Sequence, residues 1–385
     1  MSSGRPGTPW LARGGRRYLV FGLLVLLLAL AGAGLLYTHR HPASVVITGL
    51  PRAGPPQPPL TPTPTVPATA PCVGPLTSAT RPRPNTAYCG GHATSRVVLA
   101  DGDSWTDGEV SGAVSGSQQG AVQCGRTCTL INMNIHDNPR AFAGIYAPQG
   151  SDTAGPMTVI GGRVTGSGSL GIGGGGNPHL VISGVEIDHN GRSANCNFEG
   201  GGFKGINHGS RFTNNYVHDN NCVGVWYDIN AADNEIDHNR VDNNSGGGIF
   251  YEISQDAWIH DNEVSGNGSG DCSWLWGAGI GIASSFNVQV YDNTLRANCN
   301  GIAGTQQNRA DSTQPPHILA NLTIHDNRVA GPGRTGVAVA ADNGADLTTR
   351  NIVFANNHYS GGLLGCKGAC PGGWRTARRA LEYLA

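Results

Sequence analysis

A four-residue motif ending in asparagine recurs through the second half of the chain, and its spacing limits the fold more than any other feature. IDHN at 187–190, VHDN at 217–220, IDHN at 236–239, IHDN at 259–262, VYDN at 290–293 and IHDN at 324–327 read as copies of one corner. The blocks NYVHDNNCVGVWYDI (215–229) and NRVDNNSGGGIFYEI (239–253) give the fuller unit: N-x-[IV]-x-x-N, a glycine-rich step, then an apolar strand. Aligned on the first asparagine, the units anchor at Asn215, Asn239, Asn262, Asn293 and Asn327. Weaker copies anchor at Met133, Gly162, Gly184 and Asn357, and the intervals run from 22 to 34 residues.

A period of this size marks an array of stacked units, none of which buries a core alone. Each unit holds short β-branched strands and Asn/Gly turns without helical periodicity. The combination describes a parallel β-helix, each coil resting on the one before. Asparagine tolerates the left-handed backbone of a tight corner, and stacked asparagines can hydrogen-bond from coil to coil. In Gly224–Ile229 and Gly248–Ile253 the aliphatic and tyrosine positions, Val225, Tyr227, Ile229, Ile249, Tyr251 and Ile253, alternate with Trp226, Asp228, Phe250 and Glu252. The first set is expected in the lumen and the second on the outer face.

The blocks GVWYDIN (224–230) and GIFYEIS (248–254) resemble coils of the right-handed parallel β-helix repeat proteins of the pectate-lyase-like superfamily, and among these a set of secreted bacterial proteins. The resemblance covers about residues 129–360 and implies an all-β, right-handed solenoid of about nine coils. It is specific for fold and weak for reaction, because that superfamily includes polysaccharide lyases, glycoside hydrolases, mannuronan epimerases, tailspikes and adhesins. The DPHD-type motif of the alginate epimerases is absent.

Tyr18–Tyr37 are twenty uncharged residues, long enough to span a bilayer. Arg5, Arg13, Arg16 and Arg17 precede them, so residues 1–17 are expected inside and the bulk of the chain outside. A single-pass membrane anchor is expected, with a cleaved secretion signal as the rival reading. Residues 38–84 are Pro/Thr-rich and read as an extended spacer. Residues 85–128 are expected to cap the solenoid at 129–365, and 366–385, with WRTARRALEYLA, to cap the other end.

Ten cysteines suit an exported chain. The spacing suggests Cys124–Cys128, Cys366–Cys370, Cys196–Cys222 and Cys272–Cys299, leaving Cys72 for Cys89. No CxxC or zinc-type Cys/His cluster occurs. A net charge of −1 with 13% charged residues gives no basic face for nucleic acid.

Counting back eleven residues from Asn215 lands on Lys204, and from Asn239 on Asp228; Glu252 lies ten before Asn262. One outer column is therefore expected to read Lys204–Asp228–Glu252 and a parallel one Gly202–Trp226–Phe250. Lys204 is one of only two lysines. Insertions at Ser193–Gly202, Gly270–Gly277 and Thr305–His317, with Glu199, Trp274 and Trp276, are candidate walls of a cleft. Neighbouring coils lie ~4.8 Å apart, so Asp228 and Glu252 should raise one carboxyl pKa or recruit a cation.

Three chemistries fit these residues. In a lyase, Lys204 takes the proton beside a uronate carboxylate neutralised by Ca²⁺ on Asp228 and Glu252. In a glycosidase, the two carboxyls act as acid and base or nucleophile. In the third, the charges form a solvated ion ladder. Trp226, Phe250, Trp274 and Trp276 suit sugar stacking. His208 and Arg211 are reserve candidates, and His136, His218, His260 and His325 are read as structural corners. The expected activity is β-elimination or hydrolysis of an acidic polysaccharide, with a non-catalytic carbohydrate-binding or cell-surface scaffold as the alternative. A groove open to the three charges favours the enzyme; loops closed over them favour the scaffold.

Overall fold

The computed structural model describes residues 71–147, 156–176, 179–309, 315–331, 336–341 and 351–360. Across these, parallel ladders join each strand to its equivalent in the next coil. One sheet has ten strands, from Val97–Val98 to Val337–Ala341. The other has twenty. It runs as two files, one through Arg211–Thr213, Asn234–Asp237 and Gln255–His260, the other through Tyr216–His218, Arg240–Asp242 and Glu263–Ser265. Ten rungs sit close to the nine coils expected. The basic segment 1–17, the transmembrane segment 18–37, Cys366–Cys370 and the cap at 366–385 lie outside the described residues.

The array begins earlier than the repeat suggests. Ala87–Cys89 pairs in parallel with Asp103–Thr106, and that strand with Cys128–Ile135, so 85–128 forms the first rungs rather than a separate cap. These rungs lack the asparagine motif, which hid them. The end of the expected spacer is also part of the fold. Val73 and Leu76 bond their N–H groups to the carbonyls of Ala87 and Gly90, and Leu76 is fully buried. This segment covers the first edge, where open N–H and C=O groups would otherwise invite another chain.

The lumen is filled by files of aliphatic and aromatic side chains in register. Phe203, Val225, Ile249, Ile280 and Ile302 form one, and Phe212, Ile236, Ile259, Val290 and Ile324 another, all fully buried. Tyr227 and Tyr251 also point inward, ring centroids 5.8 Å apart. Their hydroxyls pair with Ser210 Oγ (2.8 Å) and the Gln255 carbonyl (2.6 Å), which makes buried phenols tolerable. Ile229 and Ile253 break the expected alternation. Both have positive φ (49° and 41°), and Ile229 is 53% exposed. The strand ends at Tyr227, and the turn throws the next side chain outward.

Two files of buried asparagine run along the corners of the larger sheet. In one, Nδ2 donates to the next Oδ1 from Asn215 through Asn239, Asn262, Asn293 and Asn327 to Asn357, at 2.9–3.0 Å. The second runs Asn190, Asn220, Asn244, Asn267 and Asn298. Each Oδ1 also accepts a backbone N–H from the preceding coil, as Asn239 does from Asn215. The left-handed conformation belongs not to these asparagines but to the residue before them: His189, Asp219, His238, Asp261, Asp292 and Asp326 all have φ of 51–56°. That frees the asparagine to turn inward.

The expected disulfides form at Cys72–Cys89, Cys124–Cys128, Cys196–Cys222 and Cys272–Cys299, with Cα separations of 5.8, 5.7, 5.0 and 5.6 Å. The last two fasten a loop inserted in one coil to the following coil.

Truncating Ile249 to Ala should cost roughly 2–5 kcal/mol in denaturant unfolding, the range for a cavity in a close-packed lumen. Asn239→Ala should cost about 3 kcal/mol, because it takes the acceptor from the Asn215 backbone N–H, the side-chain donor from the Phe212 carbonyl, and one bond each from Asn215 Nδ2 and Asn262 Oδ1. A loss near zero at Asn239 would show that water replaces the ladder.

Candidate functional site

The outer face of the ten-stranded sheet carries the residues singled out above, in a different register. Tyr146, Gly173, Lys204, Trp226, Phe250, Gly281 and Ala303 lie in one line across the strands. Lys204 is thus aligned with Trp226 and Phe250, not with Asp228 and Glu252, and Gly202 is not in the aromatic column. Counting from the asparagine anchors fails because coils differ in length. From Phe203 to Arg211 is eight residues, and from Val225 to Glu235, its equivalent one coil on, is ten. Asp228 and Glu252 do fall on successive rungs.

Lys204 reaches Asp228 diagonally. Its Nζ lies 2.8 Å from Asp228 Oδ2, donates to the Phe198 carbonyl at 2.6 Å, and sits 3.6 Å from the Trp226 ring centroid. An ammonium over an indole face is attracted by the ring quadrupole. Glu252 accepts from the guanidinium of Arg309, which also bonds Gln307 at 3.0 Å. The expected open face is not there: Asp228 and Glu252 are only 7% and 6% exposed. Insertions rise over them from three coils, carrying Phe198 and Glu199, then Trp276, then Arg309. Cys196–Cys222 and Cys272–Cys299 anchor the first two of these walls.

Between the walls lie two adjoining clefts of about 340 and 280 Å³, which share Asn197, Trp226, Glu252 and Arg309. The first adds Phe250, Trp276 and Thr305. The second adds Tyr146, Phe198, Glu199, Lys204 and Asp228. The charged residues therefore form the floor of a groove, neither freely open nor sealed. Trp226 and Phe250 are tilted 51° at 5.7 Å, and Trp276 meets Phe250 edge-on at 6.3 Å. A Cβ at Gly281 would meet the Phe250 ring at 3.1 Å, so glycine there gives that ring its place. Trp274 does not join the groove lining; it packs beside Leu275, Ala278 and Ala303.

Burial raises the pKa of Glu252, and the Asp228 charge adds to it; Arg309 and Lys204 act against both. Burial likewise raises Glu199, with Lys204 opposing. Tyr146 is pushed up to about 12 by burial and by Glu199. Burial and Arg309 lower His317, whose Nε2 lies 3.0 Å from Asn230 Oδ1. Glu252 and Glu199 are therefore the groove carboxyls biased toward their protonated forms, and Glu252 stands on the rung next to Asp228, as a proton donor beside a second carboxylate requires.

The donor set does not suit Ca²⁺. That ion takes 6–8 oxygens, whereas Asp228 and Glu252 each face a basic side chain. A further cluster, Glu186, Asp188 and His218, lies on the larger sheet with candidate atoms within 4.8 Å of one another. Its Asp188 is held by Arg163 at 2.8 and 2.7 Å, so a guanidinium already fills the cation's place.

Several residues escaped the sequence pattern. Tyr146 was legible in AGIYA, where Ile145 points inward and the tyrosine outward. Arg309 lies inside a flagged insertion, but its partner is 57 residues away, and only the folded chain joins them. The reserve candidate Arg211 stands on the larger sheet, bonded to Asp237 at 3.0 Å. His136, His218, His260 and His325 each bond the aspartate that follows, as structural corners do.

Because Glu252 binds its proton more tightly folded than unfolded, its contribution is fully present below its ordinary value of 4.5 and lost as pH rises through the raised one. Glu252→Gln should therefore unfold at higher denaturant than wild type at pH 7, the gap closing toward pH 4. A variant weaker at pH 7 would mean that the Arg309 pair outweighs burial.

A family model described as right handed beta helix region matches residues 120–295. No curated protein sequence matches the chain. Among solved structures, a mutant of the periplasmic alginate epimerase AlgG is 13% identical, with TM-score 0.49 and coverage of 72% of this chain and 73% of that one. The A-module of the mannuronan C-5 epimerase AlgE4 from Azotobacter vinelandii is 14% identical, with TM-score 0.45 and coverage of 77% and 91%. The surface adhesin PfbA of Streptococcus pneumoniae is 10% identical, with TM-score 0.36 and coverage of 72% and 84%. Parallel register, inward aliphatic files and the match over 120–295 agree: the described residues fold as a right-handed parallel β-helix.

Proposed function

We propose that the groove binds a polysaccharide and that Glu252 and Asp228 cleave it by hydrolysis, in a protein exported to an oxidising compartment. The observation that carries this reading is the meeting, in one groove, of the Trp226–Phe250–Trp276 aromatic wall with a buried carboxyl whose pKa is raised beside a second carboxylate. Aromatic faces take the apolar faces of sugar rings, and edge hydroxyls meet polar groups. Glu252 donates a proton to the glycosidic oxygen as Asp228 bonds the anomeric carbon and the leaving sugar departs; water, deprotonated by Glu252, then cleaves that ester and restores both carboxyls. Successive rungs are ~4.8 Å apart. That spacing is nearer the ~5 Å carboxyl separation of double displacement than the larger gap that leaves room for water.

Hydrolysis is preferred to β-elimination because the lysine is engaged. Lys204 donates to Asp228 and to the Phe198 carbonyl and rests on Trp226, so proton abstraction would require it to leave all three. The charges do not select an acidic polymer either: Lys204 and Arg309 are each paired, and Glu199 stands beside them. Ca²⁺ has no role in this reading. Four disulfides support export, since such bonds persist outside the reducing cytosol. Attachment to the cell membrane through Tyr18–Tyr37 is part of the proposal.

The second reading is a binding protein without turnover. The same pairs favour it, because each carboxylate is already satisfied and little exposed. Reducing-end release across a panel of neutral and acidic polysaccharides separates the two. For the hydrolase, Glu252→Gln should lower kcat at least a hundredfold, the general-acid range, and leave binding in place. Trp226→Ala should weaken binding itself. Because Glu252 must be protonated to act, kcat should fall as pH rises through its raised pKa. Binding without product in wild type at any pH would leave the scaffold reading standing and remove the hydrolase.

A further inference from the structure

Ile229 and Ile253 occupy positions where isoleucine is costly. Both have φ in the left-handed region, 49° and 41°, which β-branched side chains strongly disfavour. The turn does not call for isoleucine. The following coil makes the same turn with Ser284 at φ 47°; elsewhere among the described residues such positions are mostly Gly, Asn, Asp or His, and none but these two is β-branched. The two isoleucines directly follow Asp228 and Glu252 and line the smaller cleft. Ile229 is 53% exposed and Phe198, on the facing wall, 65%. Strained residues held beside a site are a recurrent sign of function, and these three form an apolar rim over a charged floor.

The chemistry of the neighbours narrows the occupant. Among the described residues, Lys204 gives two of its three N–H groups to Asp228 and the Phe198 carbonyl, leaving a third to donate. Its charge is matched by Asp228, so a neutral acceptor suits it better than an anion. A small group with one apolar side and one neutral carbonyl fits both the rim and the lysine.

Resting on the groove reading above, we propose that the cleft of Phe198, Ile229, Ile253 and Lys204 is a subsite for an acetyl group carried by the sugar. The methyl lies against the isoleucines, and the carbonyl oxygen accepts from Lys204 Nζ. The acetyl can come from an amide or from an ester.

The test measures binding by calorimetry to two matched pairs of probes. One is the hexamer of N-acetylglucosamine and its de-N-acetylated form; the other is acetylated xylan and the same xylan after alkaline de-acetylation. Wild type should prefer the acetylated member of at least one pair, and that pair identifies the amide or the ester. Ile229→Asn keeps a residue at ease with positive φ and removes the apolar rim. It should melt no lower than wild type, yet reduce the preference roughly fourfold, the burial of one methyl. Phe198→Ser, on the exposed rim, should reduce it too and stands in if Ile229→Asn fails to fold. A preference unchanged in both variants, or no preference in wild type, overturns the acetyl subsite and leaves the groove reading intact. Absence of binding to any polysaccharide, these four included, overturns both.

Discussion

Everything in this molecule hangs on the contact between one coil and the next. A single coil has no core, and its corners would leave polar backbone groups facing the lumen. The asparagine files solve both problems at once. Each amide satisfies a backbone N–H of the coil before it and a neighbouring carbonyl, and it passes a hydrogen bond along the file. Buried amides are costly unless fully bonded, so the ladder also fixes register. An asparagine displaced by one residue along its coil leaves several groups unpaired, whereas a displaced aliphatic residue loses only contact area. The aliphatic files supply the burial, and the asparagine files hold the register of each coil on the next.

With stacking secured at the corners of the larger sheet, the ten-stranded sheet is free to vary. Its outer face accepts insertions without disturbing the lumen, because inward residues such as Val225 and Ile249 keep their file whatever is added beyond the strand ends. Two disulfides then tie inserted loops to the adjoining coil, so that Phe198 and Trp276 stand as walls rather than swinging in solvent. Cross-linking loops of 26 and 27 residues limits the unfolded chain as well, but here the staples also shape the groove.

How far the sequence could be read follows from which features are periodic. The solenoid, the inward aliphatic files and the bridges Cys196–Cys222 and Cys272–Cys299 were legible, since each recurs at a position set by the repeat, whereas Cys124–Cys128 was read from close spacing and Cys72–Cys89 from what was left. The first rungs were not, because Ala87–Val110 lack the asparagine motif that marks the later coils. The column Lys204–Asp228–Glu252 was half legible. The residue types and the wall were right, but register was not, since a two-residue difference between successive coils is silent in a motif anchored at their far ends. The outward turn of Ile229 and Ile253 was invisible, because alternation assumes extended backbone and both residues leave it. Arg309 needed the fold itself, its contact with Glu252 spanning more than one coil.

The length drift that spoils the counting is also what builds the site. In an ideal array every coil would present the same residue at the same place, and the outer face would carry uniform ladders. The larger sheet comes close to this, with His260, Tyr291 and His325 stacked in a row. On the ten-stranded sheet, unequal coils bring Lys204 beneath Trp226 instead of beneath a carboxylate. It then bonds Asp228 on the diagonal, and Glu252 is left for a cation from a different loop. A mixed cluster of this kind cannot arise from perfect repetition. The groove therefore belongs where the repeat is least regular, and the asparagine files keep that irregularity from reaching the core.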